Sequence, residues 1–166
     1  MQQISMFDGT EPLRITKPIR LIELFAGIGA QARALELLGV HFEHYRICEF
    51  DKYAVASYNA VHGTNFGTSD ITKIHAEDLG IVDTDKYTYI MTYSFPCTDL
   101  SNAGKMKGMG RGSGTRSGLL WEVERLLDEL NGGASLITTS ATDGERAAGD
   151  RAKEYSRLCR VDCKAR

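Results

Sequence analysis

Ile19-Arg-Leu-Ile-Glu-Leu-Phe-Ala-Gly-Ile-Gly-Ala30 runs from a short, mostly apolar segment into two glycines in three residues, and from there into a helical stretch, Gln31 to Leu38, closed by Gly39. Such a run reads as a strand, the glycines as a tight turn, and Gly39 as a helix stop. The alternation continues along the chain. Tyr45 to Phe50 reads as a second strand, and Asp51 caps a helix that carries Ala54, Val55, Tyr58 and Val61 on one face. A weaker third strand is expected near Asn65 to Ser69, and a fourth over Tyr87 to Phe95, stopped by Pro96. Leu119, Leu120, Val123, Leu126, Leu127 and Leu130 then mark an amphipathic helix. Strands alternating with helices in this way predict an α/β fold, a Rossmann-like, doubly wound parallel sheet with flanking helices.

At 166 residues the chain has the size of about one domain. With 42% hydrophobic and 25% charged residues it is neither a membrane protein nor wholly disordered. Met1 to Lys17 has no apolar core behind a basic start, so no secretory signal is read and a cytoplasmic protein is expected. The net charge of -2 excludes a globally basic nucleic-acid binder, so any such contact is local. Residues 1–18 read as a lead-in and 19–130 as the domain. Residues 131–166, with only four Leu, Ile, Val or Phe, read as a poorly ordered tail.

In a doubly wound sheet, ligands bind beyond the C-terminal strand ends, and the chemically interesting residues gather there. The Phe25 to Gly29 turn lets backbone approach a ligand and offers the free N–H groups of the next helix. Glu49 lies 20 residues beyond Gly29, close to the ~20 at which an acid reaches a ribose hydroxyl. Asp51 reads as a cap. Asp70 is either a cap or a partner for an exocyclic amine, with Ile71 packing on the ring. Cys97, held after a strand by Pro96, is placed for nucleophilic work, whereas Cys48, inside a strand, reads as core. Ser101 to Ser117 contains Lys105, Lys107, Arg111 and Arg116 with five glycines and no acid, a basic loop suited to phosphate. Cys159 and Cys163 lack a second ligand pair nearby, so no metal is expected, and His41 and His44 read as surface or packing residues.

Taken in order, these residues resemble the DNA cytosine-5 methyltransferase family over roughly Arg20 to Leu130. Leu24-Phe-Ala-Gly-Ile-Gly29, Glu49-Phe-Asp51, Asp70-Ile71, Phe95-Pro-Cys97 and Arg116-Ser-Gly-Leu-Leu-Trp-Glu122 are similar to five successive family motifs. The resemblance implies a class I S-adenosylmethionine-dependent methyltransferase fold, here partial, with S-adenosyl-L-methionine as cofactor. The cofactor would be bound by Phe25, Ala26, Gly27, Ile28, Gly29, Glu49, Phe50, Asp70, Ile71 and Pro96. Cys97 would be catalytic, adding to C6 of a cytosine flipped out of DNA so that C5 becomes nucleophilic. Ser101, Lys105, Lys107, Arg111 and Arg116 would contact the DNA. A restriction-modification or phage setting is expected.

The chain departs from the family at Ser94, Thr98 and Ala30, where Gly, Gln and Gly are usual. It also carries no Glu-Asn-Val, the motif whose Glu holds cytosine N3, and no target-recognition domain. Back-translating Asp143-Gly-Glu-Arg-Ala-Ala-Gly-Asp-Arg151 and reading one nucleotide later permits Met-Glu-Asn-Val-Pro-Gln-Val-Ile-Gly. A frameshift after about Leu136 is therefore expected, leaving a chain inactive alone. Two alternatives stand beside this: a fragment that pairs with a separately encoded second half, and an NAD-dependent dehydrogenase, whose glycine turn and strand-end acid would look alike.

Overall fold

The computed structural model describes residues 15–96, 99, 110–112, 114–130 and, for the backbone, 136–140. Four strands, β1 (Ile19–Leu24), β2 (Phe42–Cys48), β3 (Thr88–Tyr93) and β4 (Leu136–Ser140), form one parallel sheet in the order β2-β1-β3-β4. Three helices connect them: α1 (Ala30–Leu37), α2 (Lys52–His62) and α3 (Leu120–Glu129).

Neighbouring β1 residues serve opposite faces. Ile22 and Leu24 join Met91, Tyr93, Phe95 and the Leu120, Val123 and Leu126 face of α3 in one core cluster, while Ile19 and Leu21 join Ala32 and Ile90 beside α1 in another. Burial on both sides is why β1 reads as a nearly continuous apolar run rather than an alternating one. Arg20 remains at the margin, its guanidinium 3.6 Å from the Tyr87 ring centroid and 2.8 Å from Glu43.

The local stop signals act as their residue types dictate. Asp51 caps α2, accepting from the N–H groups of Tyr53 at 2.7 Å and Ala54 at 3.4 Å. Gly39, at φ +71°, ends α1 by donating to the carbonyl of Glu36.

Two expectations are corrected. Residues 65–69 form no strand, because Asn59 captures the segment first: its Oδ1 accepts from Phe66 N–H and Thr64 Oγ1, and its Nδ2 donates to the Phe66 carbonyl. The sheet also crosses the boundary read at residue 131, since β4 pairs with β3 from Tyr89–Leu136 to Tyr93–Ser140. The β-branched Ile137, Thr138 and Thr139 suit that ladder even though the surrounding segment is poor in apolar residues.

Candidate cofactor and catalytic site

Strand order reverses between β1 and β3, so their C-terminal ends flank the crevice where ligands of such sheets bind. Phe25 leaves β1 with φ +56°, a conformation that costs a bulky side chain energy, and its N–H donates to the Cys48 carbonyl at 2.7 Å. Gly27 and Gly29 follow at φ +55° and +84°. A Cβ at Gly27 would meet nothing within 4 Å, whereas one at Gly29 would lie 2.2 Å from His62 Nε2 and 2.8 Å from Tyr58. The two glycines therefore differ in purpose: Gly29 admits α2 against the turn, and Gly27 leaves the outer side of the turn open.

Glu49 is drawn to this turn. Its Oε2 accepts from Gly27 N–H and its Oε1 from Asp51 N–H, both at 2.9 Å. A carboxylate oxygen has a second lone pair, so each can still accept from a hydroxyl. Around it Ile28, Phe50 and Tyr53 are exposed, with Phe50 at 76%, an unusual concentration of solvent-facing apolar side chains. Asp70 Oδ1 accepts from both the amide and the hydroxyl of Thr72, and those bonds hold its carboxyl below the usual range. Ile71 is turned inward, 4% exposed within the core. Its carbonyl and that of Ile74 accept from Arg125, which docks α3 on this segment.

On the β3 side, Gln31 Nε2 donates to Ser94 Oγ at 2.5 Å, joining the first turn of α1 to the end of β3 across the crevice. Pro96 is half-buried. Asp99 N–H donates to Ser117 Oγ and Ser117 N–H to Asp99 Oδ2, each at 3.2 Å, which joins the segment after Pro96 to the turn before α3. Cys97, Ser101, Lys105 and Lys107 lie outside the described residues. Arg111 pairs with Glu124 and lies 4.7 Å over the Trp121 ring, and Arg116 is exposed at the start of the turn before α3.

The residue that sequence reading missed is Glu23. It is 1% exposed, accepts from Tyr58 Oη and from Ala32 N–H, and so ties β1 to α2 and to the first turn of α1. Burial pushes its carboxyl above the usual range. Its place inside an otherwise apolar strand was the available signal.

The parallel sheet in the order β2-β1-β3-β4, with helices between its strands and a glycine turn at the switch point, defines a Rossmann-like α/β fold. The model of the family described as C-5 cytosine-specific DNA methylase matches residues 19–134. The chain belongs to that family. It is 34% identical to the orphan methyltransferase M.SssI of Spiroplasma monobiae over 68% of this chain and 43% of that protein. It is 37% identical to the type II methyltransferase M.NlaX of Neisseria lactamica over 65% of this chain and 32% of that one. The chain thus spans less than half the length of these relatives. Among solved structures, the Dnmt2 methyltransferase of S. pombe superposes with a TM-score of 0.53 at 19% identity, over 84% of this chain and 38% of that one, a likeness of fold. Among the described residues, no helix is long and apolar enough to cross a membrane.

Proposed function

We propose that this chain is the cofactor-binding and nucleophile-bearing part of a DNA (cytosine-5)-methyltransferase. The observation that carries the reading is the Glu49 carboxylate fixed by Gly27 N–H beside an open glycine turn and an exposed Phe50. S-adenosyl-L-methionine fits these residues and, when bound, supplies an electrophilic methyl group. Glu49 accepts from the ribose hydroxyls, the Phe25 to Gly29 backbone carries the amino-acid end, Phe50 covers the adenine, and Asp70 accepts from its amine. Ile71, turned into the core, supports that segment from the inner side rather than packing on the ring, and Pro96 borders the methyl-transfer side.

Cys97 then works as a nucleophile on a cytosine flipped from DNA. Its thiolate forms a bond to C6, which pushes electron density onto C5. C5 would then take the methyl group with S-adenosylhomocysteine as the leaving group, and transfer of the C5 proton to a solvent base would re-form the C5–C6 double bond and expel the thiolate. Ser101, Lys105, Lys107, Arg111 and Arg116 hold the DNA phosphates, with Arg111 exchanging Glu124 for phosphate. A restriction-modification setting is supported by the type II name of the Neisseria lactamica relative, and a phage setting by the similar orphan methyltransferase M.SPBetaI of Bacillus phage SPbeta. Within these 166 residues no Glu-Asn-Val occurs, so catalysis needs that contribution from sequence outside them, whether from a restored reading frame or a separate half.

Calorimetric titration of the chain with S-adenosylmethionine and with NAD tests the cofactor assignment. Binding of the first alone is expected, and binding of NAD alone refutes it. In a complemented, active protein, Cys97→Ser should abolish the covalent adduct with DNA containing 5-fluorocytosine, and an adduct surviving the change removes Cys97 from the nucleophile role.

A further inference from the structure

Away from the crevice, the last turn of α1, the middle of β2 and the last residue of α2 bring three ligand-type side chains together on one face of the sheet. One ligand atom each from Glu36, His44 and His62 lies within 4.8 Å of the others. Glu36 Oε1 is 3.1 Å from His62 Nδ1 and 3.7 Å from His44 Nε2. We propose that Glu36, His44 and His62 form a binding site for a divalent transition-metal ion of the zinc class.

The hydrogen-bond directions around the cluster carry the argument. Tyr58 Oη donates its proton to Glu23 Oε2, so toward His44 Nδ1, 2.8 Å away, it can only accept. His44 therefore uses its one ring N–H on Tyr58, and its Nε2 turns a lone pair toward Glu36 Oε1. His44 Nε2 and Glu36 Oε1 then face each other as two acceptors 3.7 Å apart, an arrangement a cation between them satisfies, with His62 Nδ1 approaching the same oxygen at 3.1 Å. A histidine whose second nitrogen donates to an oxygen is also the form in which metal-binding histidines are held, tautomer and ring orientation both fixed.

Glu36 is prepared in the same way. Its Oε2 accepts from Arg33 at 2.7 Å, which leaves Oε1 for the histidines. Zinc bonds of ~2.1 Å in tetrahedral geometry set ligand atoms about 3.4 Å apart; the two separations from Glu36 Oε1, 3.1 and 3.7 Å, bracket that value, and the two histidine nitrogens lie within 4.8 Å of each other. Two histidines and one carboxylate are a zinc-type ligand set with a fourth position left to water. The side chains of His62, His44 and Glu36 are 1%, 18% and 31% exposed, so the cluster opens to solvent on the Glu36 side while His62 forms its floor. The His62 ring cannot swing away, because it lies 4.6 Å from the Tyr58 ring centroid and 4.9 Å from that of His44.

An ion here would clamp α1 and α2 to β2, which among the described residues pairs on one side only. The three residues are 8 and 18 positions apart in the chain, which is why no ligand motif shows in the sequence.

The test is calorimetric titration of the metal-free 166-residue chain with Zn2+, in a Cys159→Ser/Cys163→Ser background so that those thiols cannot compete. One ion per chain and a raised melting temperature are expected. Glu36→Gln and His44→Gln should each weaken binding by about 100-fold or more, since even outer-sphere changes cost 10–100-fold. Circular dichroism checks that each variant is folded. Co2+ should give visible d–d bands without a thiolate charge-transfer band. Absence of binding, or binding unchanged in both variants, overturns the proposal. Glu36 is on a helix surface, so Glu36→Gln remains informative even if His44→Gln fails to fold. None of these readouts depends on S-adenosylmethionine.

Discussion

Replacing either glycine of the β1–α1 turn by alanine separates packing from ligand binding. Both positions have positive φ, so both substitutions pay the left-handed penalty of about 1–2 kcal/mol, offset by about 0.5 kcal/mol of unfolded-chain entropy. At Gly27 nothing more is added, because the new methyl points into open space, and a net loss of about 1 kcal/mol results. At Gly29 the methyl would sit 2.2 Å from the His62 ring, which is 1% exposed and cannot retreat. Overpacking then adds about 2 kcal/mol, for a total of about 3 kcal/mol. In urea, with a slope of about 2 kcal/mol/M, the midpoint should fall by about 0.5 M for Gly27→Ala and about 1.5 M for Gly29→Ala. Affinity for S-adenosylmethionine should reverse the order: folded Gly27→Ala loses binding although its stability is nearly intact. Equal midpoints for the two variants, or unchanged affinity in Gly27→Ala, would refute the reasoning.

Three further outcomes are expected. Because burial raises the Glu23 carboxyl in the folded state, its favourable contribution is present below the ordinary carboxylate range and is lost as pH rises through the folded value. Glu23→Gln should therefore remove the part of the stability loss between about pH 4 and the folded value that melting curves record for the parent chain; an unchanged pH profile speaks against a buried acid here. Glu49→Ala leaves the Gly27 and Asp51 amides without their acceptor and should weaken S-adenosylmethionine by about 10-fold or more, as calorimetry would show. Arg125→Ala removes the donor to the Ile71 and Ile74 carbonyls and should cost about 2 kcal/mol in urea unfolding, undocking α3 without touching the glycine turn.

What could be read from the sequence was local. The apolar run of β1, the glycine stop of α1, the Asp51 cap and the leucine stripe of α3 each state their conformation within a few residues, because periodicity, capping and φ > 0 act over one or two turns of chain. Family membership followed from the order of short motifs, each fixed by what its own backbone must do. What needed the tertiary structure depends on partners far along the chain. Gly27 and Gly29 are alike in sequence and conformation, and only the arrival of His62, 33 residues later, makes one a packing glycine and leaves the other facing open space. Residues 65–69 carry a weak strand pattern that Asn59 overrides, and β4 finds in β3 a ladder its own composition did not promise. Beyond the single helical turn between Tyr58 and His62, the residues Glu23, Tyr58, His44, Glu36 and His62 share no spacing. Their meeting is decided by the register of β2 on β1 and by the packing of two helices on one face, where buried polar groups must find one another or remain unpaired.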